Sequence, residues 1–320
     1  MKVHFWGTRG SLPAARTFQM IETKIVKALQ AARGHQLDSD GEILSFIRRE
    51  LPFHVRGTYG TNTSCIEIVG GDEYVICDAG TGIRDFGNKM LASQAGQKSP
   101  PVVHVFLSHL HWDHIQGFPF FVPAYIPGNR LHIYGCHPGL QQAFEDQQQP
   151  VHFPVGLKDM LADITFHTLE TDKNYTIAGL EVRAIAQHHP GNSYGYAFVK
   201  DGKKLVYSTD AEHKEDATED VYPFVAFFRD ADLVIFDAQY ALFDAIDTKE
   251  NWGHSSNLVG VELAVRADVK RLCLFHMEHT HDDETLHAIL AKTRSYLQIY
   301  AGEDYPMAID LAYDGLTIEL

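Results

Sequence analysis

The 320-residue sequence predicts an α/β protein in which sheets pack between layers of helices, and three observations carry that reading. Short apolar or β-branched runs alternate with segments of helical spacing along the whole length. No Pro/Ser/Gly-rich linker divides the chain and no short repeat recurs, so residues 1–320 read as one domain. The composition, 45% hydrophobic and 22% charged, is that of an ordinary globular protein and not of a disordered or fibrous one.

The first strand is read at KVHFW (2–6). A helical insertion at about 14–50 follows. Phe18, Ile21, Ile25 and Leu29 share one helical face, and Ile43, Phe46 and Ile47 repeat the spacing more weakly, with Gly34 and Asp38-Ser39-Asp40-Gly41 as boundaries. Such an insertion serves as a lid, as a dimerisation arm, or as a hairpin covering a sheet edge. SCIEIV (64–69) and YVICDA (74–79) are strands joined at Gly70-Gly71-Asp72. VVHVFL (102–107) is an uninterrupted apolar run, as in a strand buried on both faces. LEVRAIA (180–186) follows, then YGYAFV (194–199) and LVYSTD (205–210), a hairpin across Asp201-Gly202. DLVIFDA (232–238), RLCLF (271–275) and the closing PMAIDLA and LTIEL complete the strands. Helical spacing returns near 83–92, 139–148, 218–229, 257–267 and 283–298.

Bulk numbers exclude several classes. Twenty-seven basic against 42 acidic residues give a net charge of −15, which repels polyphosphate chains, so no extended nucleic-acid face is expected. No run approaches the roughly 18 apolar residues of a membrane span, and the opening MKVHFWGTRGSLP lacks the apolar region of a secretion signal. A cytoplasmic protein without membrane contact is expected. Cys65, Cys77, Cys136 and Cys273 show no C-x-x-C spacing, and Cys65, Cys77 and Cys273 lie in apolar strand-like runs that point to core packing. GTRGS and DAGTG are glycine turns without the frame of a nucleotide cradle.

Histidine is abundant, at 19 residues, and its spacing is informative. Ser108-His109-Leu110-His111-Trp112-Asp113-His114 directly follows the buried strand 102–107. On a helix His109 and His111 would diverge, whereas in a loop at a strand end they converge. Asp113 and His114 point away from that pair, which suggests two metals, and the N/O donor set suits a zinc-type ion. Further donors stand at other strand ends: His188 or His189, Asp210, and His276, with His279 and His281 as rivals of the last.

The order His-x-His-x-Asp-His, then His, Asp and His, resembles the metallo-β-lactamase-fold hydrolases. The likeness runs through KVHFWGTRGSLP, YGTNTSC, DAGTGIR, SHLHWDHIQGFPFF, GHSS and LFHMEHTHDD. It implies an αββα sandwich with a binuclear metal centre on one edge. By this resemblance His109, His111 and His189 bind the first metal, Asp113, His114 and His276 bind the second, and Asp210 bridges them. His189, directly before Pro190-Gly191, matches better than His188. Asp78 would brace a ligand histidine from behind.

An aspartate at 210, where the true β-lactamases place a cysteine, is typical of phosphodiesterase and glyoxalase branches. GTRGS, YGTNTSC and Gly253-His254-Ser255-Ser256 resemble the ribonuclease Z and cyclic-phosphodiesterase group. The implied activity is hydrolysis of a small anionic phosphodiester, best guessed as a 3′,5′-cyclic nucleotide, by a hydroxide bridging two cations. Asp113 and His254 are assigned to catalysis, His254 as proton donor or phosphate partner. The ions are read as zinc, with manganese or iron as alternatives, and a homodimer is a further expectation. The rings of the 118–125 loop are read as packing in the core or a subunit interface, with stacking of one of them on a base as the alternative. The rival readings are a tRNA 3′-end endonuclease like ribonuclease Z, a lactonase or thioesterase, and a non-catalytic metal or ligand sensor.

Overall fold

The computed structural model describes residues 1–71, 73–94, 99–214, 217, 219, 221–240 and 251–320. Among them the strands form two seven-stranded sheets. The first contains β1 (Lys2–Gly7), β2 (Cys65–Val69), β3 (Tyr74–Cys77), β4 (Val102–Phe106), β5 (Arg130–Gly135), β6 (Asp163–Thr168) and β14 (Thr317–Glu319), in the order β14-β1-β2-β3-β4-β5-β6. The second contains β7 (Asn174–Ile177), β8 (Leu180–Gln187), β9 (Ser193–Lys200), β10 (Lys203–Ser208), β11 (Leu233–Asp237), β12 (Arg271–Phe275) and β13 (Ala308–Leu311), in the order β13-β12-β11-β10-β9-β8-β7.

Alternation along the strands builds the layers. Val3, Phe5, Ile66, Ile68 and Phe106 of the first sheet meet Val182, Phe198, Tyr207, Ile235 and Phe275 of the second in the central core. The opposite face of the first sheet, with Val103, Val105 and Ile133, packs on Ile83, Phe86 and Met90 of the helix Ile83–Gln94. The opposite face of the second, with Val206, Val234 and Leu272, packs on Val261 and Leu263 of the helix Asn257–Arg266 and on Leu286 and Leu290 of the long helix Asp283–Ala301. The expected αββα sandwich is therefore present. All four cysteines are buried and free, as core packing requires.

Strand polarity decides where chemistry can gather. β3 and β4 run parallel, as do β10, β11 and β12, so within each set the carboxyl ends share one edge. β1 is antiparallel to β2 and β2 to β3, which brings the end of β1 to the same edge as the end of β3. β8 likewise shares its direction with β10 through β9. Arg9, just past β1, ties the two halves together. It is fully buried, bridges to both Thr63 and Met277, and donates to the carbonyls of Gly60, Glu278 and His281.

Several elements differ from the sequence reading. β5, β6 and β7 were not anticipated, because His132, Thr165, His167 and Asn174 break their apolar patterns. LVYSTD stops pairing at Ser208 and YVICDA at Cys77, since Asp210 and Asp78 adopt left-handed backbone (φ 52° and 60°) that no strand accommodates. The helix expected at 218–229 is described as Pro223–Phe228, and residues 218 and 220 lie outside the described set, as does Asp72 of the β2–β3 turn. The insertion is two helices, α1 (Phe18–Ala31), capped by Thr17, and α2 (Asp40–Arg49), opened by a capping box of Ser39 and Glu42. α1 rests on the short helix Phe53–Arg56, with Arg16 and Lys24 reaching Asp283 at 2.9 and 2.6 Å. No described helix is long and apolar enough to cross a membrane.

Phe106 is fully buried where β4 faces the second sheet, against Tyr134, Tyr196 and Phe198. Phe106→Ala should cost about 3–5 kcal/mol, read as a lower urea midpoint at unchanged slope.

Candidate metal centre

The loop after β4 begins at Ser108 and ends in one helical turn, Trp112–Ile115, with His111 extended at its cap (φ −65°, ψ 154°). His111 therefore leaves an extended backbone, whereas Asp113 and His114 leave a helical one. His189 follows β8, Asp210 follows β10 and His276 follows β12. His276, like Asp210, has left-handed backbone, φ 58°. Such conformations cost of order 1–3 kcal/mol at a non-glycine residue, and at these strand ends they turn donors toward one point.

All seven expected donors come together. His111 Nδ1 and His189 Nε2 lie 3.1 Å apart, and His109 joins them within one group of converging donor atoms. His114 Nε2 is 3.1 Å from His276 Nε2 and 3.2 Å from Asp113 Oδ2, which is itself 3.1 Å from His276 Nε2. Asp210 stands between the groups, with Oδ1 3.3 Å from His114 Nε2 and 3.4 Å from His276 Nε2, and Oδ2 3.6 Å from His109 Nε2 and 3.9 Å from His189 Nε2. His188 is exposed, and neither His279 nor His281 belongs to a converging group among the described residues.

Outer partners fix the rings. His114 Nδ1 donates to Asp78 at 2.7 Å, His189 Nδ1 to the Gly253 carbonyl at 2.8 Å, and His276 Nδ1 to Gln239 Oε1 at 3.0 Å. Each of these rings therefore points its Nε2 inward, the nitrogen whose lone pair a cation would take. His109 Nδ1 donates to Ser108 Oγ at 3.1 Å, leaving its buried Nε2 without a hydrogen-bond partner. Asp78 also accepts from the Ser108 N–H and O–H and from Tyr207 O–H, at 2.8, 2.8 and 2.7 Å. The opening GTRGS run contributes as well, since Ser11 N–H donates to Asp113 Oδ2 at 2.8 Å. Gly253 has φ 85°, and a Cβ there would sit 2.2 Å from His189 Nδ1, so only glycine fits beside that ring.

Electrostatics agree with this packing. Burial pushes the His109 imidazole well below its usual pKa and lowers His111 and His189, keeping all three in the neutral form that binds cations. Burial would raise Asp210, but His276, His114 and His109 outweigh it and hold the carboxyl well below the usual range. Burial likewise opposes charge on His114, yet Asp210, Asp113 and Asp78 raise its pKa well above the imidazole value.

Sequence reasoning missed Asp237, at the end of β11. Its Oδ2 is 2.8 Å from His254 Nδ1 and accepts from the Ala211 N–H, while Oδ1 accepts from the Gln239 N–H. Burial disfavours charge on His254, but Asp237 beside it prevails and lifts its pKa to about 9. His254 Nδ1 is also 3.8 Å from Asp210 Oδ2. Its partner could have been found by the signal that found Asp210, an aspartate ending an apolar strand. In the 118–125 loop Phe118 and Phe121 pack in the core under the helix Ile83–Gln94, so neither is available to a base; Phe120 is exposed.

Residues 73–277 match the β-lactamase superfamily domain. The chain belongs to the β-lactamase superfamily. It is 24% identical to ribonuclease Z of Myxococcus xanthus over 265 residues, covering 68% of this chain and 80% of that one. The metallo-β-lactamase-fold protein YhfI of Bacillus subtilis superposes with a TM-score of 0.62 at 18% identity, covering 100% of this chain and 98% of that one. Human tRNase Z, short form, gives 0.58 at 18% identity, with coverage of 100% and 99%. These superpositions show the fold.

Membership in this superfamily makes the chain a metal-dependent hydrolase and implies divalent metal ions, which the residues fit. The Nε2 atoms of His114 and His276 lie 3.1 Å from each other and 3.1–3.4 Å from the oxygens of Asp113 and Asp210, the spacing of ligands about 2.0–2.2 Å from one ion. Without a cation the orphaned His109 nitrogen would remain unsatisfied. Asp78→Asn removes the carboxylate behind His114 and should weaken metal binding 10- to 100-fold in a competitive chelator titration, with far-UV circular dichroism unchanged.

Proposed function

We propose that this superfamily member is a binuclear metal-dependent phosphodiesterase acting on a small phosphodiester, with a 3′,5′-cyclic nucleotide as the best single substrate. One observation carries the reading: the donors form two groups that share Asp210, and His254 stands beside them on its own carboxylate, Asp237. His109, His111 and His189 would hold one ion, Asp113, His114 and His276 the other, and Asp210 both. When bound, two divalent ions, zinc by donor type, supply Lewis-acid polarisation of the phosphate oxygens and water acidified toward neutral pH.

The protein's own groups supply the rest. His254, raised to about 9, carries a proton at neutral pH. With Nδ1–H held by Asp237 Oδ2, its Nε2–H is left for the departing ribose oxygen. Asp113, anchored by Ser11 N–H, holds its oxygen toward the reacting side and keeps the second group in register. The positive charge that accepts an anionic substrate is local to this edge, which is how a chain of net charge −15 can take one. Four free buried cysteines and the charge fit a cytoplasmic enzyme.

Ribonuclease Z-like processing of tRNA 3′ ends is the second reading, favoured by the relative from Myxococcus xanthus. Charge weighs against it. Residues 115–209, between the histidine motif and Asp210, hold seven basic and eight acidic residues and so make no basic arm for RNA.

Turnover of cyclic mononucleotides should exceed that of precursor tRNA when both are assayed with each divalent metal restored, and the reverse ranking would select the second reading. His111→Ala should abolish hydrolysis of either. His254→Ala should lower kcat by about 10²–10⁴ for a ribose leaving group and much less for p-nitrophenolate, which departs without a proton. Activity that needs protonated His254 declines as pH rises through its pKa. Asp237→Asn removes the largest charge that raises that pKa, so the alkaline limb of the kcat profile should move to lower pH.

A further inference from the structure

α1 is an amphipathic helix mounted with its polar side inward. Its half-buried residues are Met20, Lys24, Lys27 and Ala28. Lys24 donates to the Gly57 carbonyl and pairs with Asp283, and Lys27 pairs with Glu284 at 2.7 Å. The apolar stripe lies on the opposite side. Phe18, Ile21, Ile25 and Leu29 are 73%, 45%, 54% and 66% exposed, and no residue of the helix is fully buried.

That arrangement is unfavourable for an isolated chain. A 14-residue helix is marginal by itself, the exposed Lys27–Glu284 pair adds little to it, and the Lys24–Asp283 pair fixes its polar side while covering none of the apolar stripe. With Val26, the stripe offers on the order of 600 Å² of apolar surface, at the limit for an ordinary monomer and most of the roughly 800 Å² each partner gives a stable interface. α2 adds exposed Ile43 and Leu44.

We propose that this stripe is a homodimer interface in which α1 packs antiparallel against α1 of a second copy, with the two-fold axis at Ile25. Such an axis sets Ile25 against Ile25, Ile21 against Leu29, and Phe18 against the small Ala32, a self-complementary seam. Charge selects the same occupant. Residues 14–50 hold six basic and five acidic residues, so the acidic surplus lies elsewhere and two copies meet here without the repulsion that the net charge of −15 would otherwise bring. An anionic lipid surface would instead meet a protein of net charge −15.

Sedimentation equilibrium of the full chain tests this. The wild type should run at twice its 36.0 kDa mass. Ile25→Glu, which sets two carboxylates on the axis, should raise the dimer dissociation constant at least 100-fold, with helicity and hydrolysis unchanged. Ile25→Cys should form a covalent dimer on mild oxidation, and the exposed control Ile299→Cys should not. A wild type that is monomeric at 100 μM, or an Ile25→Cys variant that fails to cross-link, overturns the proposal. So does a monomer that floats with phosphatidylcholine or phosphatidylserine vesicles, which would assign the stripe to lipid.

Discussion

Carboxylates held together in a dry place govern this molecule. Asp78, Asp113, Asp210 and Asp237 are all buried at the edge where the carboxyl ends of β3, β10 and β11 meet the loop after β4. Like charges so placed persist only if every oxygen is matched. Asp78 takes four donors, Asp237 takes His254 and two backbone N–H groups, and Asp113 takes the Ser11 N–H. Asp210 is paired mainly with metal-type imidazoles, the arrangement that calls for cations. The left-handed backbone at Asp78, Asp210 and His276, the glycine at 253 and the buried Arg9 all serve that convergence.

Much of this was legible in the sequence because the first four donors are contiguous. His109, His111, Asp113 and His114 sit in six residues behind an apolar run, and the layered fold follows from alternating element types. The distant donors were visible as strand-end His and Asp only once that motif gave them a context. Asp237 closes an apolar strand just as Asp210 does, but nothing local says that it faces a histidine 17 positions away. Tyr207, Gln239 and Gly253 act only through tertiary contact and have no signature in isolation. β5 and β6 escaped notice because His132 and His167 stand where apolar alternation was sought, and they bond to each other at 3.1 Å.

The insertion at 14–50 shows how a correct local pattern can still mislead about placement. Its periodicity gave both helices, and the ordinary inference is that an apolar face turns inward. Here Asp283, buried on the long helix, draws Arg16 and Lys24 to itself and turns α1 over. A single carboxylate therefore sets the orientation of the whole arm, and with it which side chains the surface shows.

The donors are divided between the sheets. His109, His111, Asp113 and His114 hang from the first, and His189, Asp210 and His276 from the second. His114 and His276 touch across 162 positions of sequence. Contacts of such separation form late, after their loops have closed. Neither half can present a complete coordination shell before it has docked on the other. Any cation that needs donors from both groups would therefore be bound only after the two sheets have found each other.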